Sequence, residues 1–190
     1  MWILFVACGA PEPVEEAEEP VRLEAGQEVP EGTVFPNTTV ALAGGGRFVV
    51  GQGQTGRVAL TFLYTQCPMP EYCPLVVSKL QALQPVLPDG ARIVVVTIDP
   101  AHDTLPVLEA FGRDAGAEPG TWDFGRVPDE VLFGLAEKAG LRVHGRTPSI
   151  THDVVFLILD DDGRLVRRLR GTDWDRDEVA AWLAPSPAAH

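Results

Sequence analysis

The sequence predicts an α/β domain with a central mixed β-sheet flanked by helices. Three observations carry this expectation. The runs Val58–Tyr64 and Arg92–Asp99 are almost continuously apolar, as central parallel strands covered on both faces require. A helical run from Leu75 to Leu83 lies between them and completes a strand–helix–strand unit. The chain then closes with a strand, a tight turn, a return strand and a helix.

In chain order, the segment before the core falls into two parts. Residues 1–20 predict a signal and a tether. Val6-Ala7-Cys8-Gly9 resembles a bacterial lipobox, in which the cysteine is lipidated after cleavage. Only seven residues precede Cys8 and none is Lys or Arg, whereas a secretory signal has a basic start and a longer apolar core. The segment is therefore either a truncated lipoprotein signal or an apolar tail that happens to hold a cysteine. Pro11 to Pro20 is acidic, punctuated by proline and almost free of large apolar groups, so it cannot bury enough surface to order itself. From Val21 to Gly56 the chain is rich in turns, and two glycine clusters bracket Arg47-Phe48-Val49-Val50. This predicts an N-terminal extension of short strands or hairpins.

These strands belong to a domain predicted over residues 21–184, whose core begins at Val58. Pro85 and Pro88-Asp89-Gly90 stop the first helix and turn the chain. Asp99-Pro100 ends the second strand, and Asp103 or Thr104 is placed to cap a helix through Phe111, with Pro106 in its first turn. No element is assigned to Thr121–Phe124. A helix is predicted over Asp129–Ala139 and a strand over Asp153–Leu159. Asp160-Asp-Asp-Gly163 has the chemistry of a hairpin turn, and Arg164–Arg170 alternates like an edge strand. Asp173 or Asp175 opens a final helix to Leu183, and residues 185–190 form a tail. This element order is that of a thioredoxin-like domain.

Composition narrows the function. A net charge of −12 argues against nucleic acid or an anionic membrane surface as partner. Three cysteines are too few for a disulfide scaffold. Two of them, Cys67 and Cys73, flank one strand-to-helix loop. Cys73 falls at a helix N-terminus, where unpaired N–H groups and the dipole favour a thiolate. Such a pair can exchange electrons as dithiol and disulfide, bind a metal, or form a static crosslink. The Cys-x5-Cys spacing departs from the Cys-x-x-Cys of redox thioredoxins. The Cα atoms of the pair need lie only ~5–6 Å apart for a disulfide to form.

His152 stands just before the strand Asp153–Leu159. Taken alone it is a surface or capping histidine. In a thioredoxin-like layout, however, its segment lies beside the loop that follows the first core strand. Two thiolates and an imidazole suit copper, because sulfur favours Cu(I) and an added imidazole also holds Cu(II). Zinc would want a fourth ligand, for which Met69, His102 and His144 are candidates.

Four segments carry a family resemblance: Thr61-Phe-Leu-Tyr-Thr-Gln-Cys67, Cys73-Pro74-Leu75, Val96-Thr-Ile-Asp99-Pro100-Ala-His-Asp103-Thr104, and Thr151-His152-Asp153 with its hairpin. Together they resemble the Sco/SenC family of copper-binding, thioredoxin-like assembly proteins. The usual family spacing is Cys-x-x-x-Cys, two residues shorter than here. The resemblance implies copper ligands Cys67, Cys73 and His152, with Asp99 as a neighbour that orders the site. It also implies an extracytoplasmic, periplasmic protein, lipid-anchored through Cys8, and an acceptor such as cytochrome c oxidase subunit II. There it would insert copper into the binuclear site or keep that site's cysteines reduced. The alternatives are a thiol-disulfide oxidoreductase or peroxiredoxin-like protein using Cys67 and Cys73 without metal, and a binding domain with a structural disulfide.

Overall fold

Six consecutive buried residues, Val58–Leu63, form the middle of the molecule. A strand with no exposed face needs a partner on each edge and cover on both sides, and the rest of the chain supplies them. The computed structural model describes residues 28–145 and 150–185. In chain order the elements are β1 (Thr38–Leu42), β2 (Arg47–Val50), β3 (Val58–Leu63), α1 (Cys73–Leu83), β4 (Arg92–Thr97), α2 (Leu105–Asp114), β5 (Trp122–Arg126), α3 (Asp129–Ala139), β6 (Val143–His144), β7 (Thr151–His152), β8 (Val155–Leu159), β9 (Leu165–Arg170) and α4 (Arg176–Leu183). Cys8, the acidic stretch around it and residues 186–190 lie outside the described residues. No helix among the described residues is long and apolar enough to cross a membrane.

Seven strands make one mixed sheet in the order β2-β1-β5-β4-β3-β8-β9, and β6 and β7 form a separate ribbon. β3 runs parallel to β4, with Val58 opposite Arg92 and Leu63 opposite Thr97, and β4 runs parallel to β5. β8 runs antiparallel to β3, with Val58 opposite Leu159 and Thr61 opposite Phe156. This is the mixed α/β sheet that the alternation of elements predicts. The short-strand extension is the β1–β2 hairpin, which joins the sheet through β5.

α1 and α4 pack together. Lys79 donates to the Trp174 carbonyl at 2.6 Å, and its ammonium stands 4.7 Å from the centre of the Trp174 ring. Trp174 in turn lies against Phe156 of β8, with ring centres 4.9 Å apart. α2 covers β5 through Phe111 and Phe124, whose rings meet edge to face at 5.5 Å.

Several details differ from the sequence expectation, each for a physical reason. β5 begins in the stretch to which no element was assigned. Asp123 and Gly125 are poor strand formers, but Asp123 is buried and paired with Arg92 of β4, Nη2 to Oδ2 at 2.7 Å. Gly125 leaves room for β1: a Cβ there would stand 2.5 Å from Val40 Cγ1. The last ladder bond of β4 runs from the Ile98 N–H to the Leu63 carbonyl, and the strand ends there because the Asp99 N–H turns back to the Thr97 hydroxyl. Thr104 is the N-cap residue of α2 but makes no side-chain capping bond. The Asp103 carboxylate is engaged elsewhere, as described below. Asp175, not Asp173, caps α4, accepting from the N–H groups of Asp177 and Glu178.

The segment before β1 lies across the β8–β9 hairpin. Gly32 N–H donates to the Leu165 carbonyl, Leu165 N–H to Thr33, and Phe35 N–H to Gly163. Gly163 and Gly51 both have positive φ, 73° and 83°, and their backbones touch there.

Candidate metal centre

The sheet's register brings the expected donors to one end. β3 and β4 are parallel, so Tyr64 and Asp99 leave the sheet on the same side. β8 is antiparallel to β3, so its beginning lies beside the end of β3. A buried hydrogen bond from the Thr61 hydroxyl to the Val155 carbonyl, 2.8 Å, locks that register. His152, three residues before Val155, therefore lands against the loop that carries the cysteines. α1 starts at Cys73 itself, with Pro74 in its first turn.

Cys73 Sγ lies 3.4 Å from His152 Nε2. The other ring nitrogen, Nδ1, is 2.7 Å from the Asp153 carbonyl oxygen. A carbonyl only accepts, so Nδ1 carries the proton and Nε2 presents its lone pair to the Cys73 thiol. Burial holds His152 below the ordinary imidazole pKa, against a smaller upward pull from its Asp153 neighbour, and so keeps that lone pair free at neutral pH.

The expected Cys73 thiolate needs correction. Burial, with the neighbouring Cys67 thiol adding to it, pushes the Cys73 pKa up to about 12. The backbone N–H groups of Tyr64 and Cys73 pull the other way and lose. The half-charge of a helix end does not repay the desolvation of a sulfur that is only 3% exposed. A bound cation would, since a coordinating thiol is deprotonated by the metal's own charge.

Cys67 is half-buried, and both it and Cys73 are free thiols. Cys67 lines a cleft of about 460 Å3 together with Tyr64, Met69, Tyr72 and His152, while Cys73 lies beneath its wall. The Cys67 sulfur is 4.0 Å from the Met69 carbonyl oxygen, and the Cys67 thiol is close enough to raise the pKa of both Cys73 and Tyr64. Among the described residues, no three His, Cys, Asp or Glu side chains already stand in a closed metal-binding cluster. Two donors, Cys73 and His152, are in contact, and the third lies on the adjoining loop. Two sulfurs and an imidazole lone pair are a donor set that fits a soft or borderline cation.

The other candidates sit as follows. Met69 is 40% exposed on the cleft, and His144 lines it from the β6 side. His102 is half-buried in the turn after β4 and does not line the cleft. Asp99 is buried, and its carbonyl accepts from the N–H groups of His102 and Asp103. Its charge also acts on the Tyr64 phenol.

Two residues were not assigned to the site from sequence, although Asp103 was a cap candidate for α2. Tyr64 donates its hydroxyl to the Ile150 carbonyl at 2.9 Å and sets its ring edge to face with His152 at 5.8 Å. Burial, with the two thiols as further causes, raises its phenol to a pKa of about 12. The only signal was an aromatic residue with a polar tip at the end of an apolar strand. The second is Asp103, fully buried, whose carboxylate accepts from Thr65 and from Thr97. It suspends the start of the cysteine loop from the end of β4.

Residues 46–119 match the family model described as SCO1/SenC. Over that span the chain is similar to the SCO1/SenC family. The matched span holds β3, both cysteines of the loop, α1, β4 and α2, and His152 follows it. A search of curated protein sequences finds no match. Solved SCO1/SenC structures share the fold. A SCO1/SenC family lipoprotein from Bacillus anthracis superimposes with a TM-score of 0.70 at 15% identity, over 79% of this chain and 92% of that one. Yeast Sco1 with copper bound gives 0.67 at 18% identity, over 83% and 92%. BsSco, described as having a disulfide switch and as a member of the Sco family of cytochrome c oxidase assembly proteins, gives 0.65 at 19%, over 83% and 95%. At these identities the likeness establishes the thioredoxin-like fold.

Proposed function

We propose that this chain is an extracytoplasmic copper chaperone that holds one copper ion as cargo on Cys67, Cys73 and His152. The observation that carries the reading is the Nε2 lone pair of His152 directed at the Cys73 sulfur, 3.4 Å away. Yeast Sco1, which shares the fold, has been solved with copper bound. Cys67 closes the site by moving from the cleft wall onto the Cys73–His152 pair. Copper displaces both thiol protons, and so relieves the burial penalty on the Cys73 thiolate. Such a low-coordinate site on the cleft releases its ion by ligand exchange with an acceptor's own thiolates and imidazoles. The acceptor we favour is the binuclear copper site of cytochrome c oxidase subunit II, because BsSco is a member of a family of oxidase assembly proteins. Asp99 orders the turn behind the site. Lipid on Cys8 would tether the domain through the acidic segment, in keeping with Val6-Ala7-Cys8-Gly9 and with the lipoprotein from Bacillus anthracis. Mass spectrometry of membrane-extracted protein should find acyl groups on Cys8, and an unmodified Cys8 at a mature N-terminus would remove the anchor.

The test is a copper titration of the reduced protein, with Cys67→Ser, Cys73→Ser and His152→Ala run in parallel. One copper per chain, with a sulfur-to-copper charge-transfer band lost in each variant, is the expected result. The competing reading is a thiol-disulfide oxidoreductase. It draws on the proximity of two free thiols and on the disulfide switch of BsSco. No stoichiometric copper, together with a fast Cys67–Cys73 disulfide unaffected by His152→Ala, would put that reading first.

A further inference from the structure

Arg142 and Arg170 stand beside His152 on the cleft. They grip the residue that holds its ring. Asp153 receives Arg142 through two bonds, Nε to Oδ2 at 2.6 Å and Nη2 to Oδ1 at 3.0 Å. Arg170 Nη1 stands 3.6 Å from the same Oδ2. The backbone adds a third link between residues 142 and 153, because the Asp153 N–H donates to the Arg142 carbonyl at 3.1 Å. Asp153 is thus held from the β6 side by Arg142 and from the end of β9 by Arg170.

Other bonds hold the flanks of this stretch, Tyr64 hydroxyl to the Ile150 carbonyl and Gly171 N–H to the Val154 carbonyl, each 2.9 Å, but the clamp grips Asp153 itself. The β6–β7 ribbon has only two residue pairs, Val143 with His152 and His144 with Thr151. A ribbon so short does not hold a peptide plane by itself. Yet the imidazole takes its tautomer from one carbonyl, that of Asp153. Arg142 and Asp153 are 42% and 26% exposed, and a pair this open to water contributes little to folding stability. Its geometry is bidentate and therefore directional.

We propose that Arg142, Asp153 and Arg170 are positioning residues for His152. The clamp fixes the peptide plane of residue 153, the plane fixes the proton on Nδ1, and the proton on Nδ1 leaves Nε2 free to face Cys73 and any ion held there. The consequence for copper rests on the function proposed above. The tautomer is a property of the metal-free chain and is tested without copper.

The experiment is long-range proton–nitrogen NMR of the imidazoles in the reduced, metal-free protein, at a pH where His152 is neutral. Wild type, Asp153→Ala, Arg142→Ala and Arg142→Lys are compared, with circular dichroism to show that each is folded. Wild type should show His152 almost wholly as the Nδ1–H form. Asp153→Ala and Arg142→Ala should shift its nitrogens toward a mixture with Nε2–H, and Arg142→Lys, which keeps the charge but not the fork, should fall between. Copper affinity of the two alanine variants should drop about 10- to 100-fold, the usual loss when the partner behind a metal-bound histidine is removed. If Asp153→Ala fails to fold, the two Arg142 variants decide. Folded variants that keep a pure Nδ1–H His152 would overturn the proposal, whatever copper does. Wild type that binds no copper but loses its tautomer in the alanine variants would keep the clamp and remove the chaperone.

Discussion

The Thr65 hydroxyl donates to a carboxylate oxygen of Asp103 at 2.5 Å, across 38 residues of sequence. The Thr65 N–H reaches the second oxygen at 3.1 Å, and the Thr97 hydroxyl reaches that same oxygen at 2.5 Å. One buried carboxylate therefore ties the root of the cysteine loop to the end of β4. Hydrogen bonds to a charged group contribute more than neutral ones, and removing the acceptor strands three donors.

Asp103→Ala should therefore destabilise the protein by about 2–4 kcal/mol. Asp103→Asn, which keeps one acceptor oxygen, should cost less. Urea unfolding of the three proteins side by side measures this. An Asp103→Ala loss of under about 0.5 kcal/mol, the range of ordinary surface changes, would show that the loop does not hang from this group.

Gly163 carries the second prediction. A Cβ there would stand 2.1 Å from the Gly51 Cα, and its φ of 73° disfavours any side chain. Backbone cannot move aside as a side chain can, so Gly163→Ala should cost at least about 2 kcal/mol. The damage should appear as a lower melting temperature with the His152 imidazole NMR signals retained, since the contact lies at the opposite end of β8 from His152. A variant as stable as wild type would mean that the backbone at Gly51 does not lie against the hairpin turn in solution.

The two cysteines should differ in reactivity. Cys67 lines the cleft, whereas Cys73 is 3% exposed beneath it and its thiolate is disfavoured by burial. Alkylation of the reduced, metal-free protein at neutral pH should modify Cys67 first, by roughly tenfold or more in rate. Peptide mass spectrometry with time resolves the two sites. Equal rates would place the first turn of α1 open to solvent.

How legible the molecule is depends on where each residue's partner lies. β3, β4 and β8 can be read because their cover on both faces leaves a continuous apolar run, a signal written within the strand itself. The Asp160–Gly163 turn can be read for the same local reason, and the cap of α4 can be narrowed to Asp173 or Asp175. β5 could not be. Its Asp123 is tolerated in a buried strand because Arg92 of the neighbouring strand and the Gly120 N–H both pair with it, and its Gly125 is needed because β1 packs closely against it. Asp103 could be read as a helix cap, which its position suits, but its actual partners are on β4 and the cysteine loop.

The same division governs the site. By itself the sequence determined the donor types, two cysteines on one loop and a histidine before an apolar strand, because these are properties of residue identity and short spacing. Only the tertiary structure decided that Cys73 meets His152, that the thiol there is protonated, and that Tyr64 and Asp153 fix the ring. The first follows from the antiparallel register of β8 on β3, the second from burial overcoming the helix end, and the third from contacts between segments far apart in the chain, among them Tyr64 with Ile150 and with His152. Each depends on where the folded chain excludes water and aligns a lone pair, and no window of sequence holds that information.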